Sequence, residues 1–131
     1  MIDFQYWIKN IVSQCELIVS PDTYERVWLQ GDRTITSVIH PVELFEQLLG
    51  DLDLEECAKT FADRLSAIGA LDAVLNFTSA LLSAEHGMNN DPSLKDDPRN
   101  FLASTEWQHV KAAAKTIVEL PFAAEYRRTS R

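Results

Sequence analysis

Apolar residues recur three and four apart from Phe4 to Ile18. Phe4, Trp7, Ile8, Ile11, Val12, Cys15 and Ile18 thus share one helical face, and Asp3 stands where a cap belongs. Ser20-Pro21 ends this helix and can open another, with serine as cap and proline at the first position. Tyr24, Val27 and Trp28 line the inner side of that second helix, and Gly31 is its natural stop. His40-Pro41 opens a third helix with Val42, Phe45, Leu48 and Leu49 inward and Gly50 closing it. Residues 32–40 lack a helical period. Ile35, Val38 and Ile39 with two threonines have some strand character, but a lone short strand has no partner, so an ordered loop is expected.

The cleanest stripe is Leu54, Cys57, Ala58, Phe61, Ala62, Leu65 and Ile68, preceded by Asp53-Leu54-Glu55-Glu56, which reads as a capping box with aspartate in the serine role. Gly69 stops this helix, and the next begins almost at once with Leu71, Val74, Leu75, Thr78, Leu81 and Leu82 inward. So short a connection predicts an antiparallel hairpin over residues 53–86 as the central unit. Gly87–Asp97 reads as the longest loop. Asp97-Pro98 then caps a brief helix through Phe101 and Leu102. Ser104 or Thr105 caps the last long helix, which carries Trp107, Val110, Ala114, Ile117 and Val118 until Pro121 breaks or kinks it. The pattern predicts an all-α fold, a single-domain bundle of six to seven helices over 1–131, with a mobile basic tail at 127–131. No repeat of fixed period is found, which disfavours a solenoid.

Composition agrees with a globular chain: 46% hydrophobic, 24% charged, four glycines and five prolines in 131 residues. Cys15 and Cys57 both fall in apolar stripes without a neighbouring histidine or CxxC partner, so they read as packing thiols of a reducing compartment. Met1-Ile2-Asp3-Phe4-Gln5 lacks the basic start and apolar run of a signal peptide. No window approaches the ~20 apolar residues that span a bilayer. A cytoplasmic protein is expected.

Charge changes the picture most. The formal net charge is −8, which argues against nucleic acid and anionic membranes as partners. Residues 16–56 hold ten acids and only Arg26 and Arg33, so this third of the chain carries the whole excess while the remainder balances. Acids crowded on one face repel one another, and a cationic partner would relieve that cost. The residues expected to meet such a partner are Asp22, Glu25, Trp28, Asp32, Glu43, Glu46, Asp51, Asp53, Glu55 and Glu56. Trp28 enters as a candidate apolar anchor among acids, its plainer role being to pin the loop after Gly31 to the core.

Catalytic patterns are absent. His40, His86 and His109 show no HxxxH or HExxH spacing, and the chain has no GxGxxG, GxxxxGK[ST] or GxSxG loop. His86 suits a helix C-terminus and His40 a turn before proline. Asp51 and Asp53 could pair around a divalent cation as a hydrolase, yet no second carboxylate-rich helix or phosphate-binding cation lies near them, and capping accounts for aspartates after a helix stop. No catalytic residue, cofactor or metal is expected.

Val27-Trp28-Leu29-Gln30-Gly31, Ser37, Val42-Glu43-Leu44-Phe45 and Gly50-Asp51-Leu52-Asp53 together resemble a pattern of bacterial immunity proteins. These are small antidotes encoded beside contact-dependent growth inhibition and other polymorphic toxins. The resemblance spans residues 24–56. It implies a non-enzymatic inhibitor that holds a basic toxin domain such as a nuclease against an acidic face; a monomer or weak dimer is expected. A secretion chaperone or adaptor with an apolar groove is the alternative, and the metal-dependent hydrolase comes third.

Overall fold

A computed structural model describes residues 2–20, 23–31 and 40–129, with side chains through Tyr126. Asp22, Asp32 and the 32–39 segment lie outside the described residues, as does Pro21. All regular elements of the described chain are helical, as the all-α reading requires.

Helix α1 (Phe4–Val19) begins at Asp3, whose carboxylate accepts the Tyr6 N–H at 3.1 Å, and buries the whole expected stripe. Helix α2 (Thr23–Gln30) packs Tyr24, Val27 and Trp28 inward. The Tyr24 hydroxyl donates to Gln14 of α1 at 3.2 Å, which satisfies a buried polar pair between the two helices. Gly31 ends α2 in the left-handed region at φ 71°. Helix α3 (Pro41–Phe45) is capped by the His40 ring, whose Nδ1 accepts the Val42 N–H at 3.1 Å. It then widens into a π-helical turn, Glu46–Asp51, closed by the Leu52 N–H donating to the Gln47 carbonyl at 2.9 Å.

The stripe expected as one helix over 54–68 forms two segments, α4 (Leu54–Thr60) and α5 (Ala62–Ala67), that meet at Phe61. Bonds from the Phe61 N–H to Cys57 and from the Leu65 N–H to Phe61, both 2.8 Å, carry the ladder through, so the junction is a kink rather than an end. Gly69, at φ 71°, closes α5 in a Schellman turn: the Ala70 N–H donates to Leu65 at 2.8 Å and the Gly69 N–H to Ser66 at 3.0 Å.

Helix α6 (Leu71–Asn90) returns antiparallel, so the hairpin forms, but its inner face and its length differ from expectation. Its buried row is Ala73, Val74, Phe77, Thr78, Leu81, Ala84 and Met88, while Leu75 is 43% exposed and Leu82 only partly covered. Small residues decide the rotation. Ala73, Ala84 and Gly87 let a neighbouring helix approach, and a Cβ on Gly87 would come within 3.2 Å of Glu106 Cγ. The expected loop at 87–97 is accordingly helical. Buried Met88 holds α6 to Asn90, and Asp91 then caps α7 (Pro92–Asp96) by accepting the Ser93 N–H at 3.0 Å. Asp97 caps α8 (Pro98–Leu102) in the same way; bonds from the Arg99 side chain and backbone hold its carboxyl below the usual aspartate range.

Ser104 caps α9 (Thr105–Val118), which buries Trp107, Val110, Ala114, Ile117 and Val118. Among the described elements this helix, packed along both α1 and α6, makes the most extensive contacts, and the α4–α6 hairpin flanks it. Beyond Pro121 the chain adds α10 (Ala123–Thr129), which takes in part of the expected tail. The Tyr126 hydroxyl donates to Gln5 Oε1 at 2.8 Å and ties α10 to α1.

Candidate functional site: an acid-rimmed groove along α4

The backbone between α3 and α4 departs twice from ordinary helix geometry, and both departures shape a surface groove. The π-turn brings Gly50 and Asp51 to the rim. Asp53 then takes φ 45° and ψ 55°, the left-handed region that aspartate tolerates better than most residues. A capping aspartate needs extended backbone, so the expected capping box does not form: the Asp53 side chain makes no cap hydrogen bond. Asp51 and Asp53 are both exposed and form no ion pair with any described residue. Glu56, one turn along α4, meets Lys59 at 3.7 Å, a solvent-exposed pair that contributes little.

These three carboxylates rim a cavity of about 440 Å³ whose floor is apolar: Ile2, Leu52, Cys57 and Phe61. Beneath the floor, the Trp7 indole donates to the Leu52 carbonyl at 2.8 Å, and its ring lies 5.4 Å from that of Phe61. Phe4 meets Phe61 edge-on at 5.2 Å. Floor and rim therefore rest on the buried face of α1. The Cys57 thiol is pushed up by burial first, then by the charges of Asp53 and Glu56, so it is held protonated and poorly nucleophilic. A second depression of about 590 Å³ adjoins the first across a shared wall of Ile2, Thr60 and Phe61, and adds Asp3, Asp63 and Arg64. The Arg64 guanidinium sits 5.4 Å over the Phe4 ring at that far end.

The remaining predicted site residues do not join this groove. Glu46 and Glu55 are exposed, whereas Glu43 is half-buried and already engaged. Glu25 stands on α2 at a separate depression whose wall includes Lys111. Trp28 requires a correction. It is only 7% exposed, stacks on Tyr24 at 4.5 Å, and lies 5.2 Å from Trp107 and 6.2 Å from Phe101. Three aromatic rings hold it in the core, so it cannot serve as a surface anchor.

Sequence reasoning missed Ile2, Thr60 and Phe61 as groove residues. Helical stripes mark what is inward, and Phe61 reads simply as core; nothing in its spacing signals the kink that brings it to the cavity. His86 lies at an exposed position beside Asn90, with its Nε2 2.9 Å from the amide nitrogen, and His109 is exposed on α9. Among the described residues no group of three or more His, Cys, Asp or Glu side chains is placed to hold a metal ion. No described helix is long and apolar enough to cross a membrane. No protein-family model, curated protein or solved structure matches the chain.

Proposed function

We propose that this chain is a non-enzymatic inhibitor, an immunity protein that neutralises a basic toxin domain in the cytoplasm by docking it on the acidic surface at the α3–α4 junction. One observation carries the reading. Asp51, Asp53 and Glu56 project from neighbouring turns around one cavity, unneutralised except for the weak Lys59 contact. Like charges so placed repel one another, and a cationic partner converts that repulsion into attraction. The resemblance of residues 24–56 to immunity proteins points the same way. Against the hydrolase alternative, Asp51 and Asp53 gather no third ligand from the described residues. The chaperone alternative draws on the apolar floor of the same groove.

The test is association with the product of the neighbouring gene, followed at two ionic strengths. Steered association slows as salt rises. Reversing Asp51, Glu55 and Glu56 to lysine should slow it by about tenfold or more at low salt. Reversing exposed Asp72, Asp96 and Glu119 should do much less. Salt-insensitive binding that survives the first set of reversals sinks the acidic-face reading and puts the groove-based chaperone ahead.

A further inference from the structure

We infer that the groove along α4 receives an extended segment of the partner with an arginine at its centre, the aliphatic stem lying on the apolar floor and the guanidinium reaching the carboxylates of Asp51, Asp53 and Glu56. The inference rests on the acidic-face reading and says where on that face the partner is anchored.

Three features select this occupant. The floor offers Leu52, Cys57 and Phe61, while the rim on the same side offers three carboxylates, so the complementary side chain must be apolar along its length and cationic at its tip. Arginine meets both conditions, and its planar fork pairs with both oxygens of one carboxylate through two parallel N–H bonds, a geometry that lysine's ammonium does not offer. The two depressions adjoin along α4 and the first turn of α5, from Asp53 to Asp63, a path of about 15 Å. That length matches four or five residues of extended chain at about 3.3 Å each and exceeds what one small cation would fill. Finally, the far end sets Arg64 against Asp3 and Asp63, so a bound segment meets its strongest negative charge at the Asp51–Glu56 end, where three carboxylates line the cavity. This polarity gives the segment a preferred direction. With Trp28 in the core, the apolar anchor of this contact comes from the partner.

The groove can be probed before any partner is known. The isotope-labelled full chain is titrated with three capped pentapeptides: a central arginine between leucines, the same with a central glutamate, and five lysines. The readouts are the amide signals of Asp51, Asp53, Glu56 and Thr60 and the Trp7 indole N–H, which lies directly behind the floor at Leu52. The arginine peptide should move all of them and the glutamate peptide none. Its affinity should fall about tenfold in Asp53→Asn/Glu56→Gln, the effect of a loss near 1.4 kcal/mol. Asparagine keeps the left-handed backbone at position 53. Thr60→Trp, which fills the groove without altering charge, should abolish the shifts; circular dichroism confirms that each variant is folded. No shift with the arginine peptide overturns the inference. Equal shifts from five lysines that persist in Thr60→Trp overturn it too, but leave the acidic-face reading standing. Arginine-peptide binding that meets these criteria, together with salt-insensitive binding of the natural partner, would keep the groove and remove that reading.

Discussion

The indole N–H of Trp7 donates to the backbone carbonyl of Leu52 at 2.8 Å, a buried bond between residues 45 positions apart. It joins the core helix α1 to the turn that carries the acidic rim. Trp7→Phe keeps an aromatic ring but leaves the Leu52 carbonyl buried and unsatisfied, which should cost about 1–3 kcal/mol. The damage should be local as well as global. Amide exchange should quicken first at Leu52 and Asp53, whose N–H groups donate to Gln47 at 2.9 Å and Gly50 at 3.0 Å. Unchanged exchange there, with a urea midpoint like that of the parent, would show that the bond contributes nothing to the turn.

Trp28 provides a second test because its sequence context and its packing point in opposite directions. Set among acids beside Gly31, it has the composition of a binding anchor, yet it is stacked on Tyr24 and packed at a tilt against Trp107. Trp28→Ala should therefore lower stability by about 3–5 kcal/mol, the cost of emptying a large aromatic site. A loss under about 1 kcal/mol in chemical denaturation, far below that range, would return Trp28 to the surface.

What was legible follows from how each helix buries itself. Helices α1 and α9 have one apolar face each, so their stripes name their buried apolar residues, though not the buried Gln14 of α1. Helix α6 offers two candidate rows, one through Leu75 and Leu82 and one through Phe77, Ala84 and Met88. Hydrophobicity favours the leucines, but close approach to α9 favours the row flanked by Gly87, and packing wins. Gly87 and the two asparagines after Met88 suggest a loop, whereas the burial of Met88 extends the helix by a turn. At the candidate site the acids were visible and their arrangement was not. A π-turn leaves no residue periodicity to read, and Asp53 suits a cap and a left-handed residue equally well.

Two glycines should respond in opposite directions. Gly69 holds φ 71° in the Schellman turn between α5 and α6, so Gly69→Ala should cost about 1 kcal/mol. Gly87 lies inside α6, where alanine improves helix propensity by up to about 1 kcal/mol. The added methyl presses on Glu106 Cγ at 3.2 Å, but that side chain is half-exposed and can swing aside. Gly87→Ala should thus raise the melting temperature by a few degrees and Gly69→Ala lower it. A destabilising Gly87→Ala would mean that Glu106 cannot move and that the α6–α9 contact is already at its limit.

The two cysteines separate the groove from the core. Cys15 is fully buried, and burial above all pushes its thiol up, so alkylation should wait for unfolding. Cys57, 8% exposed, lines the groove floor, and its thiol is raised by burial and then by Asp53 and Glu56. The sign is definite: a raised pKa leaves less thiolate at a given pH, and the thiolate is the species that reacts. Removing the two charges in Asp53→Asn/Glu56→Gln should lower that pKa and speed alkylation near pH 8. High salt, by screening the same charges, should move the parent protein in the same direction. Mass spectrometry of the alkylated native protein would resolve the two sites, with label appearing at Cys57 before Cys15. Identical rate–pH profiles for parent and variant would show that the carboxylates do not bear on the floor of the groove. Arginine recognition would then lose its electrostatic basis at this site, because a guanidinium lying beside Cys57 would meet the same field that the thiol reports.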